Sequence, residues 1–314
     1  MLAYALQRLG LGVLIVLVAM AMMFGMVFLV PGDPASVALG PRATPEMIAQ
    51  FRTEMGMDRP VAVQFLRFLG NALRGDLGTD VWTGRTVASA VGEALPHTIV
   101  LALVGLGWPL LVGIPLGCVA AVRRNSWVDR LAGLLSVAAI AIPSFVVALY
   151  ALLVLSLGLG WFPVIGAGRP GDLASQAWHL VLPAFAIGLG WVGYVARMVR
   201  ASMIEVLGEN HIRTARAFGL PARRIVYVYA LRVAVLPTVA LIGVGFGKLL
   251  SGAVFVEIVF ARPGMGKLVF DAVAARNYPV VMGAVLVTTA LYIVCTLLAD
   301  LLSAQLDPRA RNDG

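Results

Sequence analysis

The sequence predicts an all-α membrane protein: six transmembrane helices and one small helical extracytoplasmic insertion after the first. Three observations carry this prediction. Apolar residues make up 60% of the 314-residue chain and charged residues 13%, against about 45–50% and about 25% in soluble globular domains. The mean hydropathy is +0.92, so one aqueous core could not hide the apolar surface and lipid must act as solvent. The apolar residues also fall into runs near the roughly 20 residues that a helix needs to cross a bilayer.

The six runs cover 9–30, 98–121, 131–157, 178–196, 233–258 and 280–303. The apolar core of the first, from Leu9 to Val30, outlasts the roughly 7–15 residues of a signal-peptide core and reads as an anchored span. Arginine sets the orientation, because cytosolic loops carry the excess of positive charge. With the N-terminus inside, the inner segments hold Arg8, Arg123, Arg124, Arg130, seven arginines within 197–232, Arg309 and Arg311. The short outer loops hold Arg169, Arg262, Lys267 and Arg276. Both termini are therefore expected in the cytosol. The resulting organisation is 1–30 (a cytosolic stub and helix 1), 31–95 (the outer helical segment), 96–306 (helices 2–6, with the cytosolic segment 197–232) and 307–314 (a cytosolic tail).

In the outer segment, Thr44-Pro45-Glu46 is a helix start: a capping hydroxyl, proline at the first helical position and an acid at the positive dipole end. Gly56 is its expected stop. A second helix starts after Pro60, with Val63, Phe65, Leu66, Leu69 and Leu73 mostly on one face, and ends near Gly75. The segment is too small for a catalytic domain and suits a cap that packs on the spans or receives a delivery protein. Pro109, Pro115 and Pro143 are expected to kink spans 2 and 3. In span 5, Gly243, Gly247 and Ser251 recur every four residues and allow close helix approach.

Several chemistries are excluded. Neither Gly247-Lys248 nor Gly266-Lys267 completes a phosphate-binding loop, since the first glycine and the hydroxyl are missing in both. The chain therefore has no ATPase site of its own. His97, His179 and His211 lie far apart, and no metalloprotease or serine-hydrolase motif occurs. Cys118 and Cys295 sit inside apolar runs and read as core residues, not as a metal pair or disulfide. The net charge of +8 orients loops; no groove-reading or stacking module for nucleic acid is visible. An ion-coupled carrier, the rival of a different class, would hold acids, His or Lys deep in the membrane. Within the spans only Lys248 and Glu257 occur, with Asp300 near the end of the last. They lie nine residues apart, on opposite helix faces. Lys248 costs about 2.5–3.5 kcal/mol near mid-membrane, so it is expected to face a polar path or a partner, with Glu257 as a second path residue.

What remains is the basic island 197–232, interrupted by Gly219 and Pro221. It suits a short helix, a turn and a second helix along the inner surface, held there by membrane lipid or docked on a cytosolic motor.

The run Arg213-Thr214-Ala215-Arg216-Ala217-Phe218-Gly219 resembles the coupling motif of bacterial ABC importer permeases of the peptide type. Leu231-Arg232 is similar to the end of that motif in the peptide branch. Pro31-Gly32-Asp33-Pro34, Gly75-Asp76-Leu77-Gly78, Ile142-Pro143-Ser144, Glu257 to Gly266, Tyr278-Pro279-Val280 and Leu306-Asp307-Pro308-Arg309 also resemble the family, in order along the whole chain. The long outer segment is similar to that of the dipeptide/oligopeptide/nickel "B" subunit. Asn277 departs from an aspartate common before Tyr-Pro, and Lys248 is unusual for its place.

The resemblance implies a type I importer fold in the bacterial cytoplasmic membrane. It implies a second related permease, two ATP-binding cassette ATPases that use ATP-Mg, and an extracytoplasmic solute-binding protein. This chain would hold no cofactor and catalyse nothing. It implies di- or oligopeptides as cargo, with nickel, opines or glutathione as alternatives. It assigns ATPase coupling to Arg213, Thr214, Ala215, Arg216, Ala217, Gly219, Leu231 and Arg232.

Overall fold

A computed structural model describes residues 2–29, 43–54 and 58–306, with side chains except at 2–6, 27–29, 51, 54, 239–244, 248 and 299–306. Pro31 to Pro34, Gly56, the 307–314 tail, the surroundings of Gly243 and the side chains of Lys248 and Asp300 thus lie outside what is described. The elements are α1 (Leu2–Leu29), α2 (Pro45–Glu54), α3 (Val61–Ala72), α4 (Val87–Val122), α5 (Trp127–Ala141), α6 (Ser144–Ala151), α7 (Leu173–Leu207), α8 (Asn210–Ala217), α9 (Leu236–Val259), α10 (Met265–Ala274) and α11 (Tyr278–Leu306). A π-helical turn, Leu152–Gly158, extends α6. Among the described residues there is no strand beyond an isolated bridge between Thr79 and Thr86.

The all-α class holds, while the expected count of six spans is not reached. Among the described residues four helices are long and apolar enough to cross a membrane, within α1, α4, α7 and α11, or five if one bent pair is a single span. That pair is α5 and α6, which meet at 95°. Span 3 was expected to run from 131 to 157 with a kink at Pro143; instead it is broken there. The break follows from Pro143: a residue before proline is driven out of the helical region, and Ile142 sits extended at φ −86°, ψ 121°. Pro109 and Pro115, by contrast, lie within the continuous α4. Where a fifth span was expected, α9 runs for 24 residues.

Helix ends differ from the hydropathy limits in a consequential way. α7 has 35 residues, about 52 Å at 1.5 Å per residue, well beyond a hydrocarbon core of about 30 Å. Its last turns are therefore the first part of the basic island. Similarly α4 starts at Val87, inside the segment read as 31–95.

The chain divides into two compact units, one built around Ile99–Arg262 and one formed by Leu6–Thr98 with Pro263–Ile293. In the first, α5, α6 and α9 pack on α7. α4 approaches α7 closely as well: a Cβ at Gly117 would lie 2.5 Å from the Ala196 carbonyl oxygen and 2.9 Å from Val199 Cβ, so only glycine fits there. A tight glycine contact that the sequence reading did not single out thus lies on α4. Asp129, at the start of α5, is buried and accepts hydrogen bonds from Arg200 of α7 through both carboxylate oxygens. Arg262, counted above among outer-loop charges, is buried, and the buried Glu257 acts on it electrostatically.

In the second unit, Val87, Val91 and Ala94 pack with Met265, Ala272, Val280, Val281 and Ala284. The start at Thr44 is as expected, with the Met47 N–H donating to its hydroxyl at 3.3 Å. The apolar face of α3 is corrected. Leu66 and Leu73 are exposed, and Phe65 and Phe68 meet Phe24 of α1, with ring centroids 5.6 and 6.3 Å apart. Phe65, Phe68, Leu69 and Ala72 are all partly buried, which is the i, i+3, i+4, i+7 stripe of one helix face. The loop before α4 is organised by Asp80. Its carboxylate accepts from the Trp82 N–H at 2.8 Å, the Thr83 hydroxyl at 2.7 Å and Asn277 Nδ2 at 2.6 Å.

Candidate functional site

The residues expected to couple to a motor come together on α8 and its flanks. α7 ends at Gly208, and Glu209 leads into the eight-residue α8. The helix is too short to be stable alone; burial of one face holds it. Ile212 is fully buried and Ala215 nearly so, against Val199, Met203 and Val206 of α7 and Cys118 and Ala121 of α4. Removing a side chain of the size of Ile212 from water is worth roughly 1.5–3 kcal/mol.

The opposite face carries Arg213, Thr214, Arg216 and Ala217, all exposed. The C-terminal end is closed by two hydrogen bonds. Gly219 N–H donates to the Arg216 carbonyl at 3.0 Å and Leu220 N–H to the Ala215 carbonyl at 3.2 Å. This paired pattern needs a left-handed residue after the helix, usually glycine, and Gly219 supplies φ +73°. A Cβ there would meet nothing within 4 Å, so the requirement is one of backbone conformation, not of space. Leu220, the next residue, packs back on the buried cluster.

Pro221 then starts the second helical stretch: Ala222–Arg224, a π-helical turn over Ile225–Ala230, and Leu231–Ala234. Ile225, Ala230 and Ala234 join the same cluster, and Leu231 packs against it. Arg232 is exposed. All eight expected coupling residues therefore lie on one continuous structure, with Ala215 as its buried seat and the arginines outward.

Two differences from the sequence reading matter. Arg200, one of the island's seven arginines, turns inward to Asp129 instead of outward. Phe218 was not among the expected coupling residues, yet it is 81% exposed at the tip of α8. Its signal was available: a lone large aromatic inside a polar run. Of the two path residues, Glu257 is enclosed near the C-terminal end of α9, and the Lys248 side chain lies outside the described residues.

Its seating by Ile212 and Ala215 gives α8 the geometry a handle would need. A push on its outward face reaches α7 and α4 through Ile212 and Ala215, because close-packed interiors transmit displacement.

The described helices include several long and apolar enough to cross a membrane, with α8 seated on two of them; comparison with known proteins gives the class of transport permeases. Residues 113–312 match the family described as "binding-protein-dependent transport system inner membrane component", and residues 1–102 match its N-terminal family. The chain belongs to this family and is an ABC importer permease, a multi-pass membrane protein.

Similar curated proteins include the glutathione transport system permease protein GsiC of Salmonella paratyphi A, 38% identical over 313 residues and 99% of each chain. The GsiC proteins of Pectobacterium atrosepticum and Escherichia coli O6:H1 are 37% and 36% identical, each over 99% of both chains. Among solved structures, an inward-facing form of the MetNI methionine ABC transporter is similar in fold, with a TM-score of 0.58 at 18% identity, covering 69% of this chain and 96% of that one.

Proposed function

We propose that this chain carries short peptides, glutathione foremost, through a path shared with a second, related permease, and that α8 with its flanks receives the stroke of two ATP-binding cassette subunits. Glutathione is itself a short peptide, so the peptide expectation and the relatives' names point the same way. The observation supporting this cargo is the full-length similarity, at 36–38% identity, to permeases named for glutathione transport. In this reading a solute-binding protein delivers cargo outside, both termini lie in the cytosol, and ATP-Mg acts only on the partner subunits. ATP drives transport only by binding one conformation better than the other.

Supporting the coupling role are the outward arginines, the exposed Phe218 and the buried Ala215 seat. Leu231, packed on the same buried cluster, and the exposed Arg232 are assigned to the coupling segment with them. Lys248 and Glu257 are assigned to the path; since Glu257 is enclosed here, its role requires the outer end of α9 to open.

The test is transport by the complete complex in liposomes with its binding protein. ATP inside should drive uptake of labelled glutathione, with a dipeptide and Ni2+ as competitors. Uptake that follows an ion gradient without ATP contradicts the reading. ATP-driven uptake blocked by Ni2+ but not by glutathione contradicts the cargo alone.

A further inference from the structure

Beside the buried cluster, the end of α4 and the stretch after Pro221 enclose a groove of about 240 Å3. Cys118, Val119 and Val226 form an apolar floor, and Arg123, Arg223 and Tyr227 stand around it. Both arginines are exposed, and among the described residues neither side chain has a hydrogen-bond or ion-pair partner. Val122 also lines the groove and is exposed, which extends its apolar part to the surface.

We propose that this groove is a binding site for one anionic phospholipid of the inner leaflet. Its phosphate sits between Arg123 and Arg223, with the Tyr227 hydroxyl as a further donor, and its apolar part lies over Val119, Val122 and Val226.

Four features select this ligand. A soluble anion would use the basic rim and leave the apolar floor wet; a neutral chain would use the floor and leave two cations unmatched. An anionic phospholipid uses both. Arginine, with its planar fork of donors, suits phosphate oxygens. The position also fits. By the distribution of arginines, this end of α4 lies at the cytosolic interface, where tyrosine concentrates and where basic pockets between helices take up acidic headgroups. The volume, room for about eight waters at roughly 30 Å3 each, admits a headgroup and the first part of a chain, with the remainder in the bilayer.

The site has a consequence for the handle. One wall begins at Ala222, next to the Gly219–Pro221 turn that ends α8. A lipid held there braces the second stretch against α4.

The test uses the full chain in its native assembly, exchanged from phosphatidylcholine nanodiscs with or without phosphatidylglycerol into detergent, with retained lipid counted by native mass spectrometry. Phosphatidylglycerol should stay bound and phosphatidylcholine should not, and excess inorganic phosphate should not displace it. Replacing both arginines (Arg123→Gln with Arg223→Gln) should weaken retention about thirtyfold, at about fivefold for each basic contact near an anionic headgroup. Val119→Trp, which fills the floor and keeps both charges, should also expel the lipid. Arg59→Gln, far along the chain, should change nothing.

Undiminished retention in the double arginine variant overturns the proposal, as does equal retention of the two lipids. So does displacement by inorganic phosphate, which marks a plain anion site. A crosslink from cysteine at position 223 to an ATPase subunit, in place of lipid, assigns the groove to that partner and overturns it too.

Discussion

Arg200 grips Asp129 in a two-pronged ion pair, with Nη2 donating to Oδ2 at 2.7 Å and Nε donating to Oδ1. The carboxylate also accepts the Asn125 N–H at 2.9 Å, so it is almost fully engaged. The pair joins the start of α5 to the last third of α7, the helix on which α8 is seated.

Cutting this pair on one side leaves a buried charge alone. Arg200→Met should destabilise the protein by about 2 kcal/mol, less than the roughly 3–5 kcal/mol of a fully buried pair because Arg200 is partly exposed to solvent. Adding Asp129→Asn to Arg200→Met should recover part of that loss, since no uncompensated carboxylate remains. Thermal unfolding in detergent, followed by tryptophan fluorescence, measures both; a double variant less stable than Arg200→Met contradicts this role.

At Gly219, alanine should cost about 1–2 kcal/mol locally, the penalty of a side chain in the left-handed region. Proline should do more, because it forbids φ +73° and removes the N–H that bonds Arg216. In the reconstituted complex the expected order of transport per ATP hydrolysed is wild type, Gly219→Asn, Gly219→Ala, Gly219→Pro. Membrane insertion should be unaffected. Full coupling in Gly219→Pro argues against a rigid handle.

Ala215 and Ala217 make a matched pair. Ala215 is 6% exposed in the cluster, so Ala215→Leu overpacks it at about 1–3 kcal/mol and should lower transport through displacement of α8. Ala217 is exposed, so Ala217→Leu should leave the unfolding free energy within about 0.5 kcal/mol of wild type and act only on docking. Equal stability losses in the two variants contradict the assigned faces.

Asp80 gives a pH prediction. Burial pushes its pKa up, but the hydrogen bonds from Thr83, from the Trp82 and Thr83 amides and from Asn277 outweigh this, and the net shift is downward. A group with a depressed folded-state pKa contributes stability above its unfolded value, near 3.9, and loses that contribution as pH falls through the folded value. The melting temperature should therefore lose an Asp80 contribution only in acid, below about pH 4, and Asp80→Asn should flatten that part of the profile. An unchanged acid profile in Asp80→Asn contradicts the role.

Much of this was legible in sequence because it depends on local chemistry. Thr44 capping, the helix after Pro60 and the stop at Gly219 each need only neighbouring residues. The 95° bend was half legible: Pro143 marks a break, but hydropathy, which ignores backbone direction, ran the span straight through it. Arg200 and Arg262 were misplaced because charge counting assumes solvated arginines, whereas a partner such as Asp129, 71 residues away in sequence, changes where the side chain goes. Leu66 and Phe68 differ for a similar reason: several near-equivalent apolar faces exist on α3, and the ring of Phe24 selects one. Phe218 is the reverse case, an apolar residue left outside.

The most direct test of the central claim, that the outward face of α8 meets the ATPase, is site-directed crosslinking. With Cys118 and Cys295 replaced, a cysteine is placed at 213, 216 or 218 on the outward face, or at 212 on the buried face, in the assembled complex. The account predicts ATP-sensitive crosslinks to an ATPase subunit from 213, 216 and 218 and none from 212. No crosslink from any outward position, in a complex that still transports, contradicts it.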